Sequence, residues 1–236
     1  MKQSKSNPTL SIIIPVLNEE AAIEPLIDAI RQRCTAGNIK EIIVVDGGST
    51  DTTIAIATML NTTILHSKKG RAKQMNVGAN YATGDILYFL HADTIPPPHF
   101  DTSILNAVNK EQYAGSFRLK FDNNSLFLKF FAWFTRINHK ICRGGDQSLF
   151  ITKNLFTKLN GYNEDYIIYE DGEFIARLYK EKIFIILPDK VITSARKYQE
   201  IGMLKLQYHF GMIHLQKSIG KSPEELYNYY KKNIAN

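Results

Sequence analysis

The sequence predicts an α/β fold: a mostly parallel central sheet flanked by helices, followed by a C-terminal helical extension. Three observations point to it. Short apolar runs of β-type residues alternate with amphipathic stretches through the first ninety or so positions, giving four strands and three helices in turn. Several runs stop abruptly on polar or carboxylate residues, as strands do at the ligand-binding edge of an open sheet. The 236 residues, 44% hydrophobic and 22% charged, are enough for one large core of ordinary soluble composition.

Leu10 to Pro15 reads as the first buried strand, and Asn18-Glu19-Glu20 supplies an N-cap and first-turn acids for a helix carrying Ile23, Leu26, Ile27 and Ile30. Glu41 to Val45 repeats the strand pattern, stops on Asp46-Gly-Gly-Ser-Thr-Asp51 and passes into a helix from Thr52 to Leu60. Thr62 to His66 is a third strand. Ser67-Lys-Lys-Gly-Arg-Ala-Lys73 places four positive charges in a loop and at the opening of a helix that Gly84 closes. The fourth run, Asp85 to Leu90, is continuous, as in strands buried on both faces, and ends on His91-Ala-Asp93. Pro96, Pro97 and Pro98 delay the next helix. Right-handed crossovers between parallel strands follow from this alternation.

Beyond the prolines, Phe100 to Asn109 is helical, and Ala114 to Phe121 alternates with period two, as a half-exposed strand does. Ser125 to Ile137 is aromatic-rich, and its cluster from Phe127 to Phe134 fits core packing better than a lipid contact. Arg143-Gly-Gly-Asp-Gln147 is a tight polar loop before a strand, Leu149 to Thr152. Tyr169-Glu-Asp-Gly-Glu173 opens a helix, and Ile183 to Leu187 is the last core strand. A basic, aromatic amphipathic stretch follows from Ile201, and Ser222-Pro-Glu-Glu225 is a capping box with proline at the first helical position.

Twenty-nine basic against 23 acidic residues leave a net charge of +6, which suits an anionic ligand or an anionic membrane face. No apolar h-region follows the polar start and no window reaches the length of a spanning helix, so a cytoplasmic protein is expected, with peripheral contact to a membrane surface as an option for the aromatic cluster and tail. Cys34 and Cys142 have no partner spacing that suggests a disulfide framework or a structural zinc. Asp46, Asp51, Asp93, Glu170 and Asp171 fall at strand ends or helix starts, where crowded carboxylates repel unless a cation or polar ligand joins them. Lys68, Lys69, Arg71, Lys73 and Arg196 carry the opposite charge. Acids able to hold Mg²⁺ or Mn²⁺, together with bases, describe a site for a phosphorylated ligand.

The segments Ser11-Ile-Ile-Ile-Pro-Val-Leu-Asn-Glu19, Val45-Asp-Gly-Gly-Ser-Thr-Asp51, the strand ending in His91-Ala-Asp93, and Glu170-Asp171 stand in the order and spacing of family 2 glycosyltransferases. The chain resembles that family over about residues 9 to 200. Leu90-His-Ala-Asp-Thr94, Gly145-Asp-Gln147 and Glu170-Asp-Gly-Glu173 resemble a subgroup of small bacterial members, some described as glycosyltransferases of carotenoid acids. The resemblance implies a Rossmann-like GT-A fold, a nucleotide-sugar donor (a UDP-sugar foremost), Mn²⁺ or Mg²⁺ as cofactor, and inversion at the anomeric carbon. It divides a single domain over residues 1–236 into a nucleotide-sugar-binding half (9–113), an acceptor and catalytic half (114–200) and a helical extension (201–236).

By the same resemblance Asp46 matches the residue that holds the base, Asp51 lies in the same loop, Asp93 matches the last carboxylate of the metal-binding Asp-x-Asp, and Asp171, beside Glu170, matches the general base. Pro15, Leu17, Glu19, Gly48, Ser49, Lys68, Arg71, Gln74 and Arg196 join the donor side. Gly145, Asp146, Gln147 and Trp133 join the acceptor side. The chain departs from the family pattern at His91, where a first Asp is common, at Gly47 and at Leu17. His91 either removes one negative charge from the metal site or serves as a ligand itself, favouring Mn²⁺.

Plainer roles exist for several of these residues: a helix cap for Asp51, solvated charge for Lys68 and Lys69, a surface ion pair for Arg196, a first-turn acid for Asp171 and a hydrogen-bonded structural histidine at position 91. A Rossmann dehydrogenase is disfavoured, because Pro15-Val-Leu-Asn18 stands where its glycine-rich turn would follow the first strand, and a nucleotidyltransferase wants a glycine-rich loop at the same place. A basic nucleic-acid module would use the charge and aromatics but leaves Asp46, Asp93 and Asp171 without a role, so no nucleic-acid partner is expected. The acceptor and the oligomeric state are not legible.

Overall fold

The computed structural model describes residues 7–235. Among them the chain forms strands β1 (Leu10–Val16), β2 (Ile39–Asp46), β3 (Thr63–His66), β4 (Ile86–Phe89), β5 (Thr94–Ile95), β6 (Ala114–Phe121), β7 (Leu149–Thr152) and β8 (Phe184–Thr193). The helices are α1 (Glu20–Arg33), α2 (Thr53–Met59), α3 (Arg71–Tyr81), α4 (Phe100–Asn109), α5 (Leu126–Phe134), α6 (Lys153–Lys158), α7 (Glu170–Lys180), α8 (Arg196–Ile201), α9 (Met203–Ser218) and α10 (Pro223–Asn233). All eight strands form one sheet in the order β3-β2-β1-β4-β7-β6-β8-β5.

The expected parallel half is present: β1 pairs with β2 and β4, and β2 with β3, all parallel. β7 then enters between β4 and β6 antiparallel to both, while β8 lies parallel to β6. The architecture is a mixed α/β sheet flanked by helices with a helical C-terminal region, as expected. Alternating side chains of β1 and β4 go to opposite faces. Ile12, Ile14, Ile86 and Tyr88 pack with α1 and α4, through Ile23, Leu26, Ile27, Phe100 and Ile104. Ile13, Leu87 and Phe89 pack with α3 and α7, through Met75, Ala79, Phe174 and Ile175. A sheet buried on both faces needs continuous apolar runs, which is why β1 and β4 read that way. A third cluster joins α5, α8, α9 and α10 through Leu128, Tyr198, Leu206, Ile213 and Leu226.

Several elements differ from expectation. Asn18 does not cap α1: it takes a left-handed φ of 55° and its side chain accepts from the Thr50 amide at 2.8 Å, while no side chain caps the helix from the residue before Glu20. The strand at Ala114 is buried through Phe117 and half-exposed only beyond it, because β7 and β8 flank it. β8 runs to Thr193, five or more residues past the expected end, with Pro188 and Asp189 forming a bulge between Leu187, opposite Phe117, and Lys190, opposite Arg118. Proline has no amide to offer the ladder, so a bulge is where it fits. The aromatic segment is not core: on α5 only Leu128 is fully buried, and Leu126, Phe130 and Trp133 are 82%, 58% and 53% exposed. The capping box at Ser222 is present, with the Glu225 amide donating to Ser222 Oγ at 3.2 Å and the Ser222 amide donating to Glu225 Oε2 at 2.8 Å. No helix among the described residues is long and apolar enough to cross a membrane.

Candidate active site

The C-terminal ends of β1 and β2 are laced together by short polar side chains. Asp46, the last residue of β2, is 5% exposed and accepts from the Ser49 amide at 2.9 Å, while its second oxygen lies 3.4 Å from His66 Nδ1. Ser49 Oγ in turn accepts from the Asn18 amide at 3.0 Å. Gly48, at φ 101°, occupies the left-handed region that favours glycine. Burial alone would raise the pKa of Asp46, but hydrogen bonds from Ser49, Gly48 and His66 outweigh it and hold the carboxyl below its ordinary range. A carboxylate depressed on folding stabilises the fold above its unfolded pKa and ceases to do so as pH falls through the folded value. Asp46→Asn is therefore expected to lower stability at pH 7 and to cost progressively less below about pH 4, as read from denaturation midpoints across a pH series; an unchanged cost down to pH 3 would contradict this.

Asp51 is used by the protein itself. Its Oδ1 accepts from the Thr53 amide at 3.0 Å and the Thr53 hydroxyl at 2.5 Å, and its Oδ2 from the Glu20 amide at 3.2 Å. It braces the start of α1 against α2. Gln74, on α3, is 3% exposed and donates to the carbonyls of Val16 and Val45, both at 2.8 Å. It ties β1 to β2 beneath Gly47, where an added Cβ would come within 3.1 Å of the Gln74 amide. A side chain at this position would have to shift the Gln74 amide that holds the two carbonyls.

At the end of β4 a second group converges. His91 Nε2 lies 3.5 Å from Asp171 Oδ2 and its Nδ1 3.5 Å from Asp146 Oδ1, so the imidazole bridges two carboxylates. Burial disfavours the charged ring, yet hydrogen bonds to Asp146 and Asp171 overcome it and push the His91 pKa up to about 10. Both ring nitrogens of His91 thus face carboxylates, the hydrogen-bonded arrangement that its position in the sequence also allowed. Gly145 closes the group from above: a Cβ there would fall 2.0 Å from Asp171 Oδ2 and 2.6 Å from His91 Cε1.

Glu170 and Asp171 open α7, 2% and 7% exposed. Arg71, the first residue of α3, reaches Glu170 Oε1 at 3.2 Å with its own side chain about half exposed. Glu170 Oε2 is buried with no hydrogen-bond partner among the described residues. Burial, then the Asp171 charge, raise the Glu170 pKa against the pull of Arg71.

Asp93 sits on the same edge, half-buried, and among the described residues only the Thr94 hydroxyl, at 3.4 Å, lies against its carboxylate. Its carbonyl accepts from the Ser194 amide at 3.1 Å, which brings the segment after β8 alongside. From that segment Arg196 reaches Glu19 Oε2 at 3.5 Å, a half-exposed ion pair. Burial raises the pKa of Glu19, Arg196 lowers it, and Asp93 raises it again. Pro15 and Leu17 flank Val16 at the end of β1, and Lys68 and Lys69 are exposed without ion pairs among the described residues. Trp133, on α5, is half-exposed and packs edge-on against Phe134.

Three residues were not singled out from sequence. His66 pairs with Asp46. Tyr162 is buried, and burial followed by the charges of Asp171 and Glu170 push its phenol well above the ordinary pKa. Arg143, 3% exposed, donates to the carbonyls of Thr135 at 2.5 Å and Ile137 at 2.9 Å and to Gln147 Oε1 at 2.6 Å, tying the end of α5 to the loop that carries Gly145 and Asp146. The alternation of Arg143 with glycines suggested a tight loop, but its partners are main-chain carbonyls, which carry no sequence signal.

Comparison with known proteins decides what this edge belongs to. Residues 11–172 match the family described as "Glycosyl transferase family 2". The chain belongs to that family, and it is a glycosyltransferase. A PGL/p-HBAD biosynthesis glycosyltransferase of Mycobacterium bovis (strain BCG / Pasteur 1173P2) is 28% identical over 222 residues, covering 84% of this chain and 79% of that protein. Among solved structures, the mannosyltransferase PcManGT from Pyrobaculum calidifontis, in complex with GDP-Man and Mn²⁺, superposes with a TM-score of 0.67 at 21% identity, covering 98% of this chain and 69% of that one. The glucosyl-3-phosphoglycerate synthase of Mycobacterium tuberculosis, in complex with Mn²⁺, UDP and glucosyl-3-phosphoglycerate, gives a TM-score of 0.59 at 20% identity, covering 79% and 71%.

Proposed function

We propose that this glycosyltransferase moves a sugar from a nucleoside diphosphate sugar, a UDP-sugar foremost, to a hydroxyl or carboxylate of a lipid or carotenoid-like acceptor, with inversion at the anomeric carbon. The observation that carries the reading is Asp171, a carboxylate held between His91 and Gly145 at the edge where Asp46 and Asp93 also lie. In the transfer to a hydroxyl, Asp171 takes the acceptor proton as the acceptor oxygen bonds to the anomeric carbon and the bond from that carbon to the diphosphate oxygen breaks. Glu170 keeps Arg71 at the same edge, where its guanidinium, with Lys68 and Arg196, faces the phosphates. Asp46, Gly48 and Ser49 form the base end of the donor site, with Pro15, Leu17 and Glu19 along β1, and residues 9–113 act as the donor half. Gly145, Asp146 and Gln147 border the acceptor side within residues 114–200. Support comes from solved neighbours that include complexes with UDP, UDP-GlcNAc and GDP-Man.

Asp93 fits Mn²⁺ or Mg²⁺. It is a hard oxygen donor whose carboxylate has no strong protein partner, and these ions bind through one or two carboxylates plus the phosphate oxygens of a ligand. Among the described residues no group of three or more His, Cys, Asp or Glu could hold a metal, which suits a site completed by the donor's own diphosphate. Neighbouring structures hold Mn²⁺ or Mg²⁺ beside UDP. The ion, when bound, stabilises negative charge on the departing diphosphate.

Isothermal titration of UDP tests this directly. Mn²⁺ is expected to tighten binding to the wild type, and chelation or Asp93→Ala to remove that gain while leaving the weaker metal-free binding. A wild type indifferent to metal would rule out the role of Asp93. Inversion is read from the anomeric configuration of the product by NMR, and a retained configuration would reject the single-displacement scheme.

A further inference from the structure

We propose that the face formed by α5 and the adjoining ends of β6 and β8 docks on an anionic lipid bilayer, with a basic pocket that takes a lipid phosphate. This goes beyond the transfer chemistry and does not depend on which acceptor is used. On α5, Leu126, Phe130 and Trp133 stand at helical spacings of four and three, so they share one face, and all three are more than half exposed. Ile137 and Ile141, in the chain that follows, are 42% and 65% exposed. An exposed aromatic and aliphatic face of this size is unusual on a surface that meets only water.

Beside Trp133 lies an open pocket of about 260 Å³ whose lining includes Arg118, Lys120, Lys129, Arg136 and Lys190 and no acidic residue. None of the five makes an ion pair or donates a side-chain hydrogen bond among the described residues, and Arg118 Nε is buried without a partner. Five like charges around one pocket repel each other unless an anion joins them. A phosphate alone would satisfy the charge but leaves the apolar face without purpose. A phospholipid surface satisfies both, with the phosphate among the cations and Phe130, Trp133 and Leu126 in the interfacial layer, where tryptophan is favoured.

The face is also joined to the active site. Arg143 ties the carbonyls of Thr135 and Ile137, at the end of α5, to Gln147 and thus to the loop holding Gly145 against Asp171. A bilayer seated on α5 lies against the acceptor side of the protein.

Trp133 is the single tryptophan of the chain and so reports on its own environment. The 236-residue chain is mixed, without donor or metal, with vesicles of phosphatidylcholine alone or with about a third phosphatidylglycerol as the anionic lipid, and emission and co-flotation are followed. A blue shift and flotation with the anionic vesicles only are expected. The triple variant Arg118→Gln, Lys129→Gln, Arg136→Gln should weaken vesicle binding by about 10²-fold, from the contribution of each basic residue near an anionic surface. Phe130→Ser should weaken it with the pocket intact. Circular dichroism and donor binding establish that each variant is folded. No flotation and no blue shift would overturn the proposal, as would equal binding to uncharged vesicles or binding unaffected by the triple variant. Inorganic phosphate is the remaining arm: saturable binding that the triple variant abolishes, without vesicle binding, would identify a site for a free phosphate and reject the membrane.

Discussion

Asp171→Asn is expected to cut transfer by about 10²–10⁴-fold, the usual worth of general-base assistance, while binding of the nucleoside diphosphate changes little. The amide keeps the shape of the carboxylate and still offers an oxygen to His91 Nε2, which lies 3.5 Å from Asp171 Oδ2. What it loses is the ability to take a proton. The loss should therefore appear in kcat and kcat/KM together, the signature of an interaction made in the transition state. Single-turnover rates at saturating donor, with titration of UDP as the binding control, separate this from a donor-binding defect. Turnover equal to wild type would remove Asp171 from the base role and restore its plainer one as a first-turn acid of α7. Glu170→Gln is the informative neighbour: Glu170 faces Arg71 rather than His91, so its loss should act mainly through the phosphate side.

Gly145→Ala is expected to damage both the site and the fold. A Cβ at this position meets Asp171 Oδ2 at 2.0 Å and His91 Cε1 at 2.6 Å, distances that no side chain tolerates without movement. The two groups contact each other, and His91 also contacts Asp146, so neither moves alone and overpacking here should cost about 1–3 kcal/mol of stability. The displaced carboxylate should lower kcat more than it alters donor affinity. Denaturation midpoints and steady-state rates on the same preparation check both. A variant with unchanged stability and turnover would mean that the loop carrying Gly145 gives way freely, and that its contact with Asp171 has no mechanical role.

Much of the fold was legible because β1, β4 and the second half of β2 are buried on both faces and so read as continuous apolar runs. The positions of Asp46, Asp93 and Asp171 followed from where those runs and the α7 pattern end. Contacts made to the main chain were not legible: Asn18 accepts from Thr50, Arg143 holds the carbonyls of Thr135 and Ile137, and Gln74 holds those of Val16 and Val45. Such side chains have no partner in the sequence to pair with. β8 outran its expected end because apolar periodicity breaks at Pro188, where the strand accommodates a bulge and then resumes. Phe127 to Phe134 misled in the other direction, since aromatic content alone does not distinguish a buried helix from one whose face lies open. At His91 the two carboxylates on either side of the ring, Asp146 and Asp171, lie far away in sequence, so the pairing has no local signal.

The most direct measurement is a thermal-shift panel of UDP-, GDP-, CDP- and dTDP-sugars, each with and without Mn²⁺, on the wild type and Asp93→Ala. A shift with at least one nucleoside diphosphate sugar, enlarged by Mn²⁺ in the wild type and not in Asp93→Ala, is the expected result. No shift with any of them at millimolar concentration, with the protein folded, would contradict a donor site built on Asp46 and Asp93.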